Sequence, residues 1–214
     1  MTVTPKEYIE SHTSPAGEVL DAIERWAHLH TAQPQMLCGP YEGRLLTMLC
    51  RSVQARCAVE VGSYIGYSTI CIASGLADGG LLHSFEVNDE MEQHIRRHLE
   101  QASLVDRVRL HIGDADKLLP KVLCGGAGQV DFAFIDAGKR QNRTFYDRLV
   151  PMMREGGIIV VDNVLWGSKV LDPDANKDAD TQSVNDFNNY VQNDPRVENI
   201  MLDVRDGLLI CSIL

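Results

Sequence analysis

Two short polar steps interrupt apolar runs in this 214-residue chain: Phe134-Ile135-Asp136-Ala137-Gly138-Lys139, and Ile159-Val160-Val161-Asp162-Asn163. Each sets oxygen donors where a buried strand would end. Either aspartate alone reads as a strand-end turn or a helix cap, but the pair carries more chemistry. Neighbouring strands lie roughly 4.8 Å apart, so two adjacent strand ends would bring Asp136, Asp162 and Asn163 to one point. Hard oxygen ligands with room left for water and substrate suit Mg²⁺, Mn²⁺ or Ca²⁺ rather than zinc. Lys139, one turn beyond Asp136, adds a cation to the same place. The expectation is a divalent metal held beside a nucleotide-type cofactor, and therefore an enzyme.

A second group of residues points to that cofactor. Glu60-Val61-Gly62-Ser63-Tyr64-Ile65-Gly66-Tyr67-Ser68 reads as a strand running through a glycine turn into a helix. Glycine permits a tight bend and close approach to a ligand, and the helix presents free N–H groups. The next apolar run ends in Ser84-Phe85-Glu86-Val87, and an acid there can accept from both hydroxyls of a ribose. A dinucleotide would fit this pair as well. However, Gly62-x-x-x-Gly66 lacks the middle glycine of the G-x-G-x-x-G fingerprint that seats a pyrophosphate, which favours a cofactor without phosphate. Gly113-Asp114-Ala115 is a further candidate contact, placed to reach a base edge, with helix capping by Asp114 as its plain alternative.

These residues need a scaffold that puts strand ends side by side. Strand-like runs near 57–61, 81–86, 107–112, 130–135 and 157–161 alternate with amphipathic stretches near 67–76, 88–102, 115–123 and 142–153. Such βαβ alternation predicts an α/β fold with a mostly parallel sheet and helices on both faces. Before it, 15–30 and 41–54 carry apolar residues at helical spacing, so two helices open the chain. After it, 198–203 and 207–212 flank Arg205-Asp206-Gly207, a short hairpin-type turn, so one edge of the sheet should be antiparallel. Ligands bind outside the carboxyl ends of the strands in such sheets, which is where the unusual residues fall.

Composition narrows the class. The length suits one domain, 1–214, and 44% hydrophobic with 23% charged residues is ordinary for a soluble globular chain. No apolar run is long enough to span a membrane and no secretory signal is visible, so a cytoplasmic location is expected. A net charge of −10 argues against sequence-independent nucleic-acid binding. The six cysteines, Cys38, Cys50, Cys57, Cys71, Cys124 and Cys211, form no Cys-x-x-Cys pair and read as reduced thiols. Asp172-x-Asp174-x-Asn176-x-Asp178 imitates the start of a calcium loop, but Lys177 stands where glycine is needed and Ser183 where glutamate belongs. It reads as a solvated loop.

Taken together, these motifs resemble the cation-dependent class I O-methyltransferases, the group that includes catechol and caffeoyl-CoA O-methyltransferases. The resemblance covers roughly residues 33 to 214 and rests on Val59-Glu60-Val61-Gly62-x-Tyr64-x-Gly66-Tyr67-Ser68, Asp136-x-x-Lys139, Asp162-Asn163-Val164-Leu165-Trp166-Gly167 and Asp206-Gly207-Leu208. It implies a Rossmann-like, doubly wound, seven-stranded sheet and S-adenosylmethionine as cofactor. By the same resemblance Glu60, Gly62, Tyr64, Gly66 and Ser68 line the methionine end, Glu86 and Val87 the ribose, and Gly113, Asp114 and Ala115 the adenine. Met36 lies in the entry segment that meets cofactor and substrate, and Asp136 serves the cofactor as well as the metal. Asp136, Asp162 and Asn163 are the implied metal ligands, with Mg²⁺ first and Mn²⁺ or Ca²⁺ after it. Asp136 and Lys139 are the implied catalytic residues, acting on a hydroxyl of a small catechol-like aromatic.

A homodimer is also implied, with residues 1–55 forming the substrate and dimer region. Three positions depart from the family pattern. Gly138 replaces a second acid, Asn142 a tyrosine, and Asn185 an arginine whose loss argues against a CoA-ester substrate. A nicotinamide oxidoreductase would share Gly62 and Glu86 but leaves Asp136, Asp162 and Asn163 without a task. A cofactor-binding protein with lost or altered turnover is the non-enzymatic alternative.

Overall fold

The computed structural model describes residues 3–123, 128–172, 174 and 178–214, apart from the side chain of Lys6. Cys124 and the Asn176-Lys177 part of the calcium-like loop lie outside the described residues, whereas the other five cysteines are free thiols.

Seven strands form one sheet: β1 (Cys57–Val61), β2 (Leu81–Glu86), β3 (Val108–Ile112), β4 (Val130–Ile135), β5 (Met153–Asp162), β6 (Val197–Leu202) and β7 (Leu208–Ile213). Their order is β3-β2-β1-β4-β5-β7-β6, with the switch in strand order between β1 and β4. The first five are mutually parallel, and β7 runs antiparallel between β5 and β6. The mostly parallel sheet and the C-terminal hairpin read from the sequence are both present.

Alternation along the strands explains the two cores. Ala58, Phe132, Phe134 and Val160 face helices α2 (Glu18–His30), α3 (Gly39–Ser52), α4 (Tyr67–Gly75) and α5 (Glu92–Gln101). Their neighbours Val59, Ala133, Ile135 and Val161 face α6 (Ala115–Val122), α7 (Asn142–Leu149) and α8 (Ala179–Gln192). Period-two burial on both faces is what a parallel sheet covered on both sides requires. Helix α4 is buried almost all round because α3 covers it so closely: a side chain on Gly75 would sit 2.5 Å from the Thr47 carbonyl oxygen.

Three element boundaries differ from the sequence reading. A third helix, α1 (Pro5–Ser11), precedes the two expected ones, started by a reciprocal Thr4–Glu7 capping box with Pro5 at its first position. The stretch expected to be helical to 153 stops at Leu149, because Pro151 cannot donate to a continuing helix, and β5 begins at Met153. Helix α5 starts at Glu92, after a short turn in which the Asn88 side chain accepts from the Glu90 N–H. Among the described residues no helix is long and apolar enough to cross a membrane.

Candidate active site

A cleft of about 1280 Å³ opens along the carboxyl ends of β1, β2, β4 and β5. At its centre Gly62 leaves β1 at φ +97°, and a side chain there would meet the Asp136 carbonyl oxygen at 2.1 Å. The turn after β1 and the segment after β4 touch backbone to backbone, which only glycine allows. Gly66 does something different. At φ +89° it opens α4 and packs against Ile95, and it does not line the cleft.

Glu86 ties this turn to the next strand. Its Oε2 accepts from the N–H groups of Ser63 at 3.1 Å and Tyr64 at 2.8 Å, while Oε1 accepts from Asn88 N–H at 2.9 Å. A carboxylate has about four lone-pair sites, so with three N–H donors in place acceptor capacity remains for one ligand hydroxyl. Val87, three-quarters exposed, and Gly113, Asp114 and Ala115 line the same end. Asp114 also caps α6 by accepting from the Asp116 N–H, and its bond from Lys117 holds its carboxyl below the usual range.

Behind the turn lies Glu60, fully buried. Its Oε2 accepts from the hydroxyls of Thr69 and Ser84, each at 2.6 Å, but Oε1 has no partner. Burial pushes its carboxyl up to about 7, against the pull of the Ser68, Ser84 and Thr69 hydroxyls. Ser68 is nearly as buried, and neither residue lines the cleft.

At the other end, register decides the geometry. Ile135 of β4 pairs with Val161 of β5, so Asp136 and Asp162 leave adjacent strands at the same level. Lys139 follows in a single 3-10 turn, its ammonium 3.2 Å from Asp136 Oδ1 and 3.5 Å from the Asp162 carbonyl oxygen. Its side chain is only 10% exposed, so this amine serves the cleft and not bulk solvent. The Asp162 carboxylate is buried and accepts from the Asn163 N–H at 2.6 Å; burial and the Asp136 charge raise its carboxyl to about 7. Asn163 sits in the left-handed region at φ +59°, which asparagine tolerates. Asp136, Lys139, Asp162 and Asn163 all line the cleft, as does the half-exposed Met36.

Two charged residues escaped the sequence reading. Glu42, in the first turn of α3, is completely buried near Asp162, and burial with the Asp162 charge pushes its carboxyl up to about 9. Arg205, in the turn between β6 and β7, lies 3.4 Å from it. An acid in a first helical turn ordinarily reads as a favourable surface charge, so only the fold reveals this one as buried.

In an open α/β sheet ligands bind outside the carboxyl ends of the strands at the switch in strand order, and that is where this cleft and its glycine turn lie. Residues 10–214 match the family model described as O-methyltransferase, and the chain belongs to that family. Caffeoyl-CoA O-methyltransferase 1 of Eucalyptus globulus is 33% identical over 176 residues, covering 79% of this chain and 72% of the relative. Among solved structures, the O-methyltransferase TomG of Streptomyces achromogenes in complex with S-adenosylmethionine superposes with a TM-score of 0.86, at 29% identity over 96% of this chain and 94% of that one. An O-methyltransferase of Bacillus cereus in complex with S-adenosylhomocysteine gives 0.85, at 27% identity over 97% and 96%. The protein is an S-adenosylmethionine-dependent O-methyltransferase, which removes the nicotinamide alternative.

Proposed function

We propose that the enzyme methylates one of two vicinal hydroxyls on a small catechol-like aromatic and depends on a divalent cation to do so. The observation that carries this reading is the pair of in-register strand ends: Asp136, Asp162 and Asn163 on one wall of the cleft, with the Lys139 ammonium among them. The donor set fits a hard cation. Two carboxylates and an amide oxygen match Mg²⁺ or Mn²⁺ chemistry, and among the described residues the Asp162 carboxylate accepts from the Asn163 N–H alone. When bound, the cation would act as a Lewis acid toward the acceptor oxygen.

The chain's own groups have separate tasks. Glu86 would hold the ribose. Glu60, buried behind the Gly62 turn and outside the cleft, would support that turn through its bonds from Thr69 and Ser84. Ionising a phenol of pKa about 10 at pH 7 costs roughly 4 kcal/mol. As the ammonium Lys139 is placed to stabilise the oxyanion, and only by entering the step as the neutral amine would it receive that proton; Asp136 with the Asp162 carbonyl fixes where its nitrogen sits. Gly62 lets cofactor and acceptor turns approach closely enough for an aligned transfer.

The test is transfer of labelled methyl from S-adenosylmethionine to a panel of catechols with Mg²⁺, with and without chelator. Transfer that survives full chelation sinks the metal dependence. Parallel arms with free catechols and catechol-bearing thioesters decide the acceptor, and the departure at Asn185 favours the free catechols.

A further inference from the structure

We propose that Arg205 is a positioning residue that clasps the segment from Gln33 to Cys38 over the metal end of the cleft and thereby sets how tightly the acceptor is held. The proposal rests on the methyl-transfer reading for its kinetic part. Its physical part stands on the contacts alone.

The guanidinium occupies a built socket. Its Nη1 donates to the Cys38 carbonyl oxygen at 2.6 Å and its Nη2 to the Gln35 carbonyl oxygen at 3.2 Å. Its Nε lies 3.4 Å from Glu42 Oε2, on a carboxyl with no exposure at all. Gly39, at φ +73°, forms the remaining wall: a side chain there would come within 2.8 Å of Nη1. Thus two carbonyls, one buried acid and one missing side chain all accommodate a single planar cation, which lysine could not satisfy in the same way.

What the clasp joins gives it a function. Gln35, Met36, Arg205, Asp206, Asn163 and Trp166 all line the cleft. Asp206 accepts through Oδ1 from the Gly167 N–H at 2.5 Å, and its carbonyl accepts from Leu165 N–H at 2.9 Å. The hairpin turn therefore braces the loop that follows Asn163 with Asp206 and the entry segment with Arg205. Apart from Arg205, the entry segment is held by the Tyr64 hydroxyl, which donates to the Gln33 carbonyl oxygen at 3.3 Å, and by Leu37 and Cys38, which are buried in the core. Releasing Arg205 leaves Gln35 to Cys38 without their bonds to the turn, while the Glu86 end of the cleft keeps all of its own.

The experiment compares wild type with Arg205→Met, Arg205→Lys and the double variant Glu42→Gln/Arg205→Met, which keeps the buried site neutral if the single variant folds poorly. Hydrogen exchange of the amides from Gln35 to Cys38 should rise at least tenfold in the variants, with α4 and β1 amides unchanged. The catechol KM should rise at least tenfold, adenosylhomocysteine affinity should stay within threefold, and Lys should recover little. In Arg205→Ala, guanidinium ion at low millimolar concentration should lower the acceptor KM and leave wild type unaffected. Unchanged exchange in the entry segment overturns the clasp, and so does a proportional loss of kcat and cofactor affinity that tracks the folded fraction. Failure of wild type to methylate any catechol refutes the acceptor reading instead, and the exchange result then decides the clasp.

Discussion

Gly62→Ala is the sharpest perturbation this site offers. The added carbon would stand 2.1 Å from the Asp136 carbonyl oxygen, whereas ordinary contact begins at 3.4 Å, so the two turns must separate by more than an ångström. The atom in the way is backbone and cannot rotate aside. Holding alanine at φ +97° adds about 1–2 kcal/mol, and overpacking of a tight site adds about 1–3 kcal/mol, for a loss of roughly 2–5 kcal/mol. Gly79→Ala isolates the first contribution, since Gly79 has φ +73° but nothing within 4 Å of its added carbon. Urea unfolding of both variants should therefore place Gly62→Ala at least about 1 kcal/mol below Gly79→Ala. Activity should fall further than stability, because the displaced backbone carries Asp136, and a misplacement near 1 Å can cost about a hundredfold. Equal stabilities for the two variants, or full methyl transfer in folded Gly62→Ala, would refute the close-contact argument.

Other consequences can be checked alongside. Lys139→Met should lower kcat by about 10²–10⁴-fold with adenosylhomocysteine affinity unchanged; a drop in cofactor affinity of similar size would reassign the lysine. Glu86→Ala removes three acceptor contacts to backbone N–H groups, and calorimetry should show adenosylhomocysteine binding weakened by at least about tenfold, since bonds to charged groups contribute about 1.5–3 kcal/mol each. Asp162 and Glu60 keep their protons up to about pH 7 in the free enzyme. The folded form then binds more protons than the unfolded chain above pH 4, so metal-free stability should fall as pH rises from about 4 to about 7; chemical denaturation at pH 5 and pH 8 giving the opposite order would overturn those raised values. On the proposed metal reading Mn²⁺ would have to displace the Asp162 proton, so its affinity should climb over the same interval and flatten above it, with Asp162→Asn removing the slope.

The strand ends were legible because buried parallel strands are written as apolar runs, and a polar residue closing such a run stands out. Gly62, Glu86, Asp136 and Asp162 each close such a run and all four line the cleft, whereas the register that sets Asp136 level with Asp162 is visible only in the sheet. Helix α8 was harder to see. Its buried residues, Thr181, Val184, Phe187 and Val191, recur at helical spacing, but Asn185, Asp186, Asn188 and Asn189 dilute the pattern. Helix α1 is short and solvent-facing, and only its capping box announces it. Glu42 and Arg205 could not have been paired from sequence. Each is an ordinary surface residue by local rules, and their meaning comes from a contact made between the third helix and the final hairpin.

The placement of β7 has a consequence for how this molecule is made. It is inserted between β5 and β6, with Ile159 opposite Cys211 and Val161 opposite Leu209. During synthesis, β5 and β6 both leave the ribosome before the strand that joins them. Until β7 arrives, the Ile158–Val161 run is a bare sheet edge, the kind of surface that recruits other chains. The strand bearing Asp162 at its end is thus the last to gain its second neighbour, and dependence on chaperones should concentrate in that interval of translation.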